Sequence, residues 1–214
     1  PQVQSRHDSR GDRGNMGCPV NLVLASGSPR RRELLASLGW QFTVRIPTVE
    51  EVFLDGEDPE KAVVRLAGAK AEAAASGHPD EWIVAADTVV SLEGKILGKP
   101  SSRGDASRML SLLSGKTHTV FTGIAVISPY GRETGVEATD VSFRTLGEDE
   151  IRAYAESGEC DDKAGAYAIQ GLGALLVEGI RGDYFNVVGL PLYRLSRMFG
   201  SLGFSLSDQW RLKR

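Results

Sequence analysis

The chain has 214 residues, 41% of them hydrophobic and 25% charged, which is the balance of an ordinary globular protein. That length suits one domain or at most two, and it can bury a sizeable core without disulfides or metals. Its 25 Lys and Arg against 28 Asp and Glu leave a net charge of −3, which excludes broad electrostatic binding to nucleic acid but not a local basic pocket.

Residues 1–19 are rich in Gly, Ser, Asp and Arg and read as a disordered N-terminal extension. They hold Arg6, Arg10 and Arg13 but no apolar stretch, so they do not read as a signal peptide. From Asn21 onward there is no linker, repeat or low-complexity tract, which predicts one domain over 20–206 and a C-terminal tail over 207–214. Leu22–Ala25 is a short apolar run expected to be a buried strand, and Pro29 to Leu38 a helix closed by Gly39. Phe42 to Ile46 is a strand candidate. Asp58 as N-cap and Pro59 at the first helical position open a long helix to about Ser76. Ile83–Val90 reads as a strand, followed by a turn at Glu93-Gly94 into Ile96-Leu97. Asp105 is expected to cap a helix with Ala106, Met109, Leu110 and Leu113 on one face. Thr119–Ile127 and Val136–Thr145 predict a hairpin through Pro129–Arg132. Ile151, Tyr154 and Ala155 mark a helix. Ala166–Gln170 and Ala174–Ile180 read as strands, and Pro191 starts a helix carrying Leu192, Leu195, Phe199 and Leu202. Early strand–helix alternation with later adjacent strands predicts an α/β fold with a mixed sheet.

Two cysteines, Cys18 and Cys160, make neither a disulfide framework nor a zinc set and fit a reducing, cytoplasmic setting. No apolar run approaches the ~18–20 residues a membrane helix needs, so no membrane partner is expected. Three histidines, His7, His78 and His118, leave little room for a His-based triad. Hydrolytic chemistry would therefore rest on carboxylates, lysines and arginines.

The strongest local signal is Ala25-Ser26-Gly27-Ser28-Pro29-Arg30-Arg31-Arg32. A strand ends, a Gly-containing turn follows, and a helix opens with Ser28 as N-cap. Backbone N–H groups and the positive helix end favour an anion there. Three arginines in the first helical turn oppose the macrodipole and repel one another, and a phosphate chain would relieve both penalties. A capped helix with solvated arginines is the plainer alternative. Ser26 and Ser28 lack the Gly-x-Ser-x-Gly spacing of a nucleophile elbow.

Asp87 lies inside an otherwise apolar strand, where a carboxylate is costly unless paired, hydrogen-bonded or bound to a metal. Lys70 falls on the apolar stripe of Val63, Leu66 and Ala67. Taken alone it reads as a snorkelling lysine. Lys99 sits on a tight turn, where solvation is the ordinary state. Glu50-Glu51 are loop acids that gain meaning only if one meets Asp87, since two carboxylates can hold a hard cation together with substrate phosphates. Asp162 to Gly171 is glycine-rich and carries Gln170, whose amide both donates and accepts and so suits a nucleobase edge. A surface Gln at a turn is the simpler reading of that residue.

Together these segments resemble the Maf family of nucleotide pyrophosphatases. The resemblance runs from about Leu22 to Leu202. It rests on Leu24-Ala25-Ser26-Gly27-Ser28-Pro29-Arg30-Arg31, Glu51, Arg65-Leu66-Ala67 leading to Lys70, Ala86-Asp87-Thr88 and Gly98-Lys99-Pro100. It continues through Ser114-Gly115-Lys116-Thr117-His118, Lys163 to Tyr167, Ile169-Gln170-Gly171 and Val188-Gly189-Leu190-Pro191. The resemblance implies a mixed twisted sheet flanked by helices, with two lobes around a central cleft as in inosine-triphosphate pyrophosphatases. Homodimers are common in such a family. It further implies cleavage of a nucleoside triphosphate to the monophosphate and pyrophosphate with a divalent metal, Mg²⁺ or Mn²⁺. Asp87 takes the family's place of proton acceptor, and Glu51 that of its other acid, the two being the implied metal ligands. Ser26, Arg30, Arg31, Lys70 and Lys99 take the phosphate-binding positions. Arg30, Thr88 and Gln170 match the branch that acts on dTTP and UTP. The branch acting on 7-methyl-GTP carries Trp, Gln and Glu at those places. Two functional readings follow from the resemblance: a dTTP/UTP pyrophosphatase in nucleotide house-cleaning or cell-division arrest, and a non-catalytic nucleotide-binding regulator of septum formation.

Overall fold

The structure, a computed structural model, describes residues 20–54 and 56–212. The N-terminal extension expected over residues 1–19, with Cys18, lies outside the described residues. Seven strands form one mixed sheet: β1 (Leu22–Leu24), β2 (Thr43–Val44), β3 (Trp82–Leu92), β4 (Lys95–Leu97), β5 (Thr117–Ser128), β6 (Gly131–Phe143) and β7 (Val177–Arg181). Their order is β2-β1-β3-β5-β6-β7, with β4 added to β3. The helices are α1 (Pro29–Ser37), α2 (Pro59–Ala75), α3 (Arg103–Leu113), α4 (Glu148–Glu156), α5 (Tyr184–Val188), α6 (Leu192–Ser201) and α7 (Leu206–Arg211).

Side-chain alternation along β3 divides the core. Ile83 and Ala85 face α2, where they pack with Val23, Ala67, Ala71 and Ala74. Val84, Ala86 and Val90 face the larger core with Leu34, Leu35, Leu110, Val188, Leu195 and Phe199. Asp87 continues the first series and Thr88 the second, so neighbouring residues serve opposite faces of one strand.

The long edge of β3 is fully paired with β5, from Ile83↔Ile127 to Ser91↔Thr119. Its other edge is shared by two strands. Parallel β1 covers Trp82 to Val84, and antiparallel β4 covers Val90 to Leu92. Between them the edge changes partner and direction, and the chain leaves β1 through Ser26–Ser28 into α1. Such switch points are where open α/β sheets leave a crevice. Here it falls beside Asp87 and Thr88.

Several local expectations change. Helix α3 is capped by Ser102, whose Oγ accepts from Asp105 N at 3.1 Å. Asp105 instead sits at the third helical position and accepts from Ser101 N, because the chain enters the helix three residues earlier. The segment expected as strand Ala166–Gln170 joins no ladder: a 3₁₀ turn spans Ala164–Ala166 and a second 3₁₀ helix spans Gly171–Leu176. Gly165 (φ 68°), Ala166 (φ 59°) and Gly171 (φ 69°) are left-handed, so the chain turns away at both ends of the apolar run. The strand expected from Ala174 therefore begins only at Val177. Beyond residue 206, where a tail was expected, Leu206–Arg211 is helical, and buried Gln209 donates to Ser196 O and Phe204 O at 3.0 Å. Among the described residues no helix is long and apolar enough to cross a membrane.

Candidate active site

The crevice is lined by Ser26 to Arg31, Glu51, Asp87 and Thr88, Gly98-Lys99, Asp162 to Ala164, Tyr167, Ile169 and Val187 to Gly189, and holds about 590 Å³. Its floor is an ion-pair cluster. Lys70 Nζ lies 2.5 Å from Asp87 Oδ1 and 2.6 Å from Glu51 Oε1, and Lys99 Nζ lies 3.5 Å from Glu51 Oε2. Asp87 is 5% exposed and Lys70 8%. The lysine on the apolar stripe thus does not snorkel to solvent; it ends beneath the crevice, between two carboxylates. Partial burial works against ionising Glu51, but the hydrogen bond and charge of Lys70, with those of Lys99, hold its carboxyl below the usual range.

A glycine makes this contact reachable. Gly123 is the β5 partner of Asp87, and a Cβ there would stand 2.2 Å from Val63 O. Helix α2 therefore lies directly on the sheet beside Asp87, which brings Lys70, two turns on, to the carboxylate. Nothing in the local spacing singles out Gly123 from the sequence.

The opposite wall is the start of α1. Ser28 caps it, its Oγ accepting from Arg31 N at 3.5 Å. Ser26 Oγ accepts from Ser28 N at 3.1 Å and Arg31 Nη1 at 3.4 Å. Arg31 is held three ways, because its Nε also donates to Gly189 O at 2.7 Å and its Nη2 to Thr88 Oγ1 at 2.8 Å. Burial lowers the Arg31 pKa, opposed by the charges of Asp87 and Glu51. Arg30 turns elsewhere: burial lowers its pKa too, and the charges opposing this are those of Asp162, Tyr154, Glu159 and Glu33. Arg32 is exposed. The arginine run therefore separates into one residue over the β3 floor, one toward the 154–162 segment and one in solvent.

Arg31, Lys70 and Lys99 surround the two carboxylates and Arg30 adds a fourth cation on the other side of the crevice, with Asp162 and Lys163 paired to each other. A chain of net charge −3 thus holds a locally positive crevice suited to a polyanion.

A family profile described as Maf-like protein matches residues 21–202. The chain belongs to the Maf family. Among its relatives is a dTTP/UTP pyrophosphatase of Moorella thermoacetica, 54% identical over 191 residues, which are 88% of this chain and 97% of that protein. A dTTP/UTP pyrophosphatase of Halalkalibacterium halodurans is 50% identical over 86% of this chain and 97% of its own. One of Deinococcus radiodurans is 48% identical over 86% and 94%.

In this Maf-family crevice Gln170 stands apart from the other expected residues. It is half-buried at the start of the second 3₁₀ helix and does not line the crevice wall, whereas its neighbour Ile169 does. The loop carrying it is fastened by Glu159, which the sequence did not flag, and by Tyr154, expected only as part of a helix face. Glu159 accepts from Leu172 N and Gly173 N at 2.9 Å and from Tyr154 OH at 3.0 Å, while Tyr154 OH accepts from Ala168 N at 3.1 Å. A Cβ on Gly171 would meet Glu159 Oε2 at 2.5 Å, so only glycine admits this clamp. Glu159 ionises below the usual range: burial opposes this, and the two backbone N–H groups outweigh it.

Among the described residues no three His, Cys, Asp or Glu are arranged so as to hold a metal ion by themselves. The oxygen donors are the two carboxylates, Asp87 and Glu51. Such a set suits a hard cation that keeps waters and completes its shell with substrate phosphates, the habit of Mg²⁺, rather than zinc.

Proposed function

We propose that this chain hydrolyses dTTP and UTP to the monophosphate and pyrophosphate, with Asp87 as proton acceptor. The observation that carries the reading is the pair of carboxylates, Asp87 and Glu51, gathered on Lys70 and facing Arg31 and the amino end of α1. A module that only binds a polyanion has no use for two acids beside it. The names of relatives 48–54% identical support the same substrate class.

The triphosphate lies along Ser26 to Arg31, with Arg31 and Lys99 donating to phosphate oxygens. Glu51 and Asp87 would hold a divalent metal, which would supply charge neutralisation to the phosphates and to the leaving pyrophosphate. Asp87 takes the proton of a water that attacks the α-phosphorus, and the bond to the β-phosphate oxygen breaks. Lys70 keeps the two carboxylates together before nucleotide arrives. Arg30 lies on the base side of the crevice, and Gln170, behind Ile169 in the free protein, would read the O4, N3–H and O2 edge once its loop turns inward, because its amide both donates and accepts.

A nucleotide panel with Mg²⁺ or Mn²⁺, with pyrophosphate and monophosphate both quantified, tests this. Turnover of dTTP and UTP above purine triphosphates is expected, abolished by excess chelator and restored by added metal. No turnover of any nucleotide, or a preference for purines, would overturn it.

A further inference from the structure

Thr88 neighbours Asp87 and lines the crevice, which makes it a natural reader of the base. Its hydroxyl, however, is already committed. Arg31 Nη2 donates to Thr88 Oγ1 at 2.8 Å, Thr88 Oγ1 meets Thr122 Oγ1 at 2.9 Å, and Thr122 Oγ1 donates to Asn186 O at 3.0 Å. The ends of this row fix its direction, because a guanidinium only donates and a carbonyl only accepts. Thr122 spends its one proton on Asn186 O, so Thr88 must donate to Thr122 and accept from Arg31.

The far end is rigid. Thr122 and Asn186 are fully buried. Asn186 Nδ2 donates to Val120 O and Thr139 Oγ1 at 3.0 Å, and Thr139 in turn donates to Asp183 O. The same segment presents Gly189 O to Arg31 Nε. The α5 segment, β5 and β3 thus grip one guanidinium through a hydroxyl row and a carbonyl.

We infer that Thr88 and Thr122 are positioning residues that aim Arg31 at the phosphate chain, and that Thr88 does not donate to the base. This rests on the reading of Arg31 as a phosphate-binding residue.

The test uses Thr122→Val, which keeps shape and removes the hydroxyl, with Thr122→Ser as the conservative partner and Thr88→Val as a second break at the accessible end of the row. Binding of inorganic tripolyphosphate, which has no base, is measured by calorimetry beside kcat/KM for UTP, dTTP and GTP. Thr122→Val and Thr88→Val should each weaken tripolyphosphate about tenfold and lower kcat/KM by a similar factor for every nucleotide. Thr122→Ser should recover both. In an Arg31→Gln background the Thr→Val changes should add almost nothing. Full additivity with Arg31→Gln, unchanged tripolyphosphate binding, or a Thr88→Val effect confined to one base would overturn the inference. Wild-type protein that binds tripolyphosphate in this pattern yet hydrolyses no nucleotide would refute the proposed function alone.

Discussion

Asp87 and Thr88 sit midway along an eleven-residue strand whose long edge is paired from Ile83 to Ser91, whereas Gln170 sits between two 3₁₀ turns with no strand beside it. The first wall of the crevice is set by backbone ladders, and side-chain positions follow from register. The second is set by one carboxylate and one phenol, Glu159 and Tyr154, that hold the loop's N–H groups. His118 joins the walls: it lies on β5 and its Nε2 pairs with Tyr167 OH at 2.8 Å. Residues on the ladder wall suit chemistry, which needs fixed geometry. Those on the clamped wall suit recognition, which can be retuned by changing a loop.

That contrast is sharpest where the ladder wall is altered. Asp87→Asn should cut kcat by on the order of 10²–10⁴-fold with the thermal midpoint nearly unchanged, since the amide keeps the shape and Lys70 retains Glu51 at 2.6 Å. Full activity would shift the proton-acceptor role to Glu51. Next in size is Gly123→Ala. The new methyl would press on the backbone of Val63, so α2 must lift and Lys70 must leave Asp87. A stability loss of about 1–3 kcal/mol, read from urea midpoints, should accompany a comparable loss of turnover. Unchanged activity would mean that the contact of Lys70 with Asp87 is dispensable.

The clamped wall should behave differently. Glu159→Gln cannot accept at both carboxyl oxygens, so the loop that carries Gln170 loosens. The expected outcome is about a tenfold fall in preference for UTP over 7-methyl-GTP, with tripolyphosphate binding intact. Equal losses for all ligands would show that the two walls are not separable. The smallest effect concerns the joint. Burial pushes the His118 pKa down to about 4, and its Nδ1 has no partner. The unfolded chain, titrating near the ordinary 6.5, therefore takes up the proton first, so stability is full above that value and falls as pH drops toward 4. Unfolding free energies from urea titrations at pH 7.5 and 5.5 should differ by about 1 kcal/mol from this group, and His118→Gln should remove that share. An unchanged pH slope in the variant would exonerate the histidine.

The same division explains what the sequence revealed. Ser28-Pro29, Asp58-Pro59 and Glu93-Gly94 announce caps and turns through local chemistry, and all three occur as expected. Asp87 stands out because a carboxylate in an apolar strand demands a partner; that partner is Lys70, whose place on an apolar stripe reads, taken alone, as a snorkelling lysine. The apolar run from Ala166 has the composition of a strand, but Gly165 and Gly171 turn the chain out of the sheet, and composition does not show where backbone hydrogen bonds go. Gly123, Glu159 and Thr122 act through contacts distant in sequence, so no spacing could disclose them.

The central claim is that water attacks the α-phosphorus of a pyrimidine triphosphate beside Asp87. The most direct measurement is hydrolysis of UTP in water enriched in oxygen-18, with products resolved by mass spectrometry. The account predicts one labelled oxygen in UMP and none in pyrophosphate. Label in pyrophosphate, or UDP and orthophosphate as products, would contradict it.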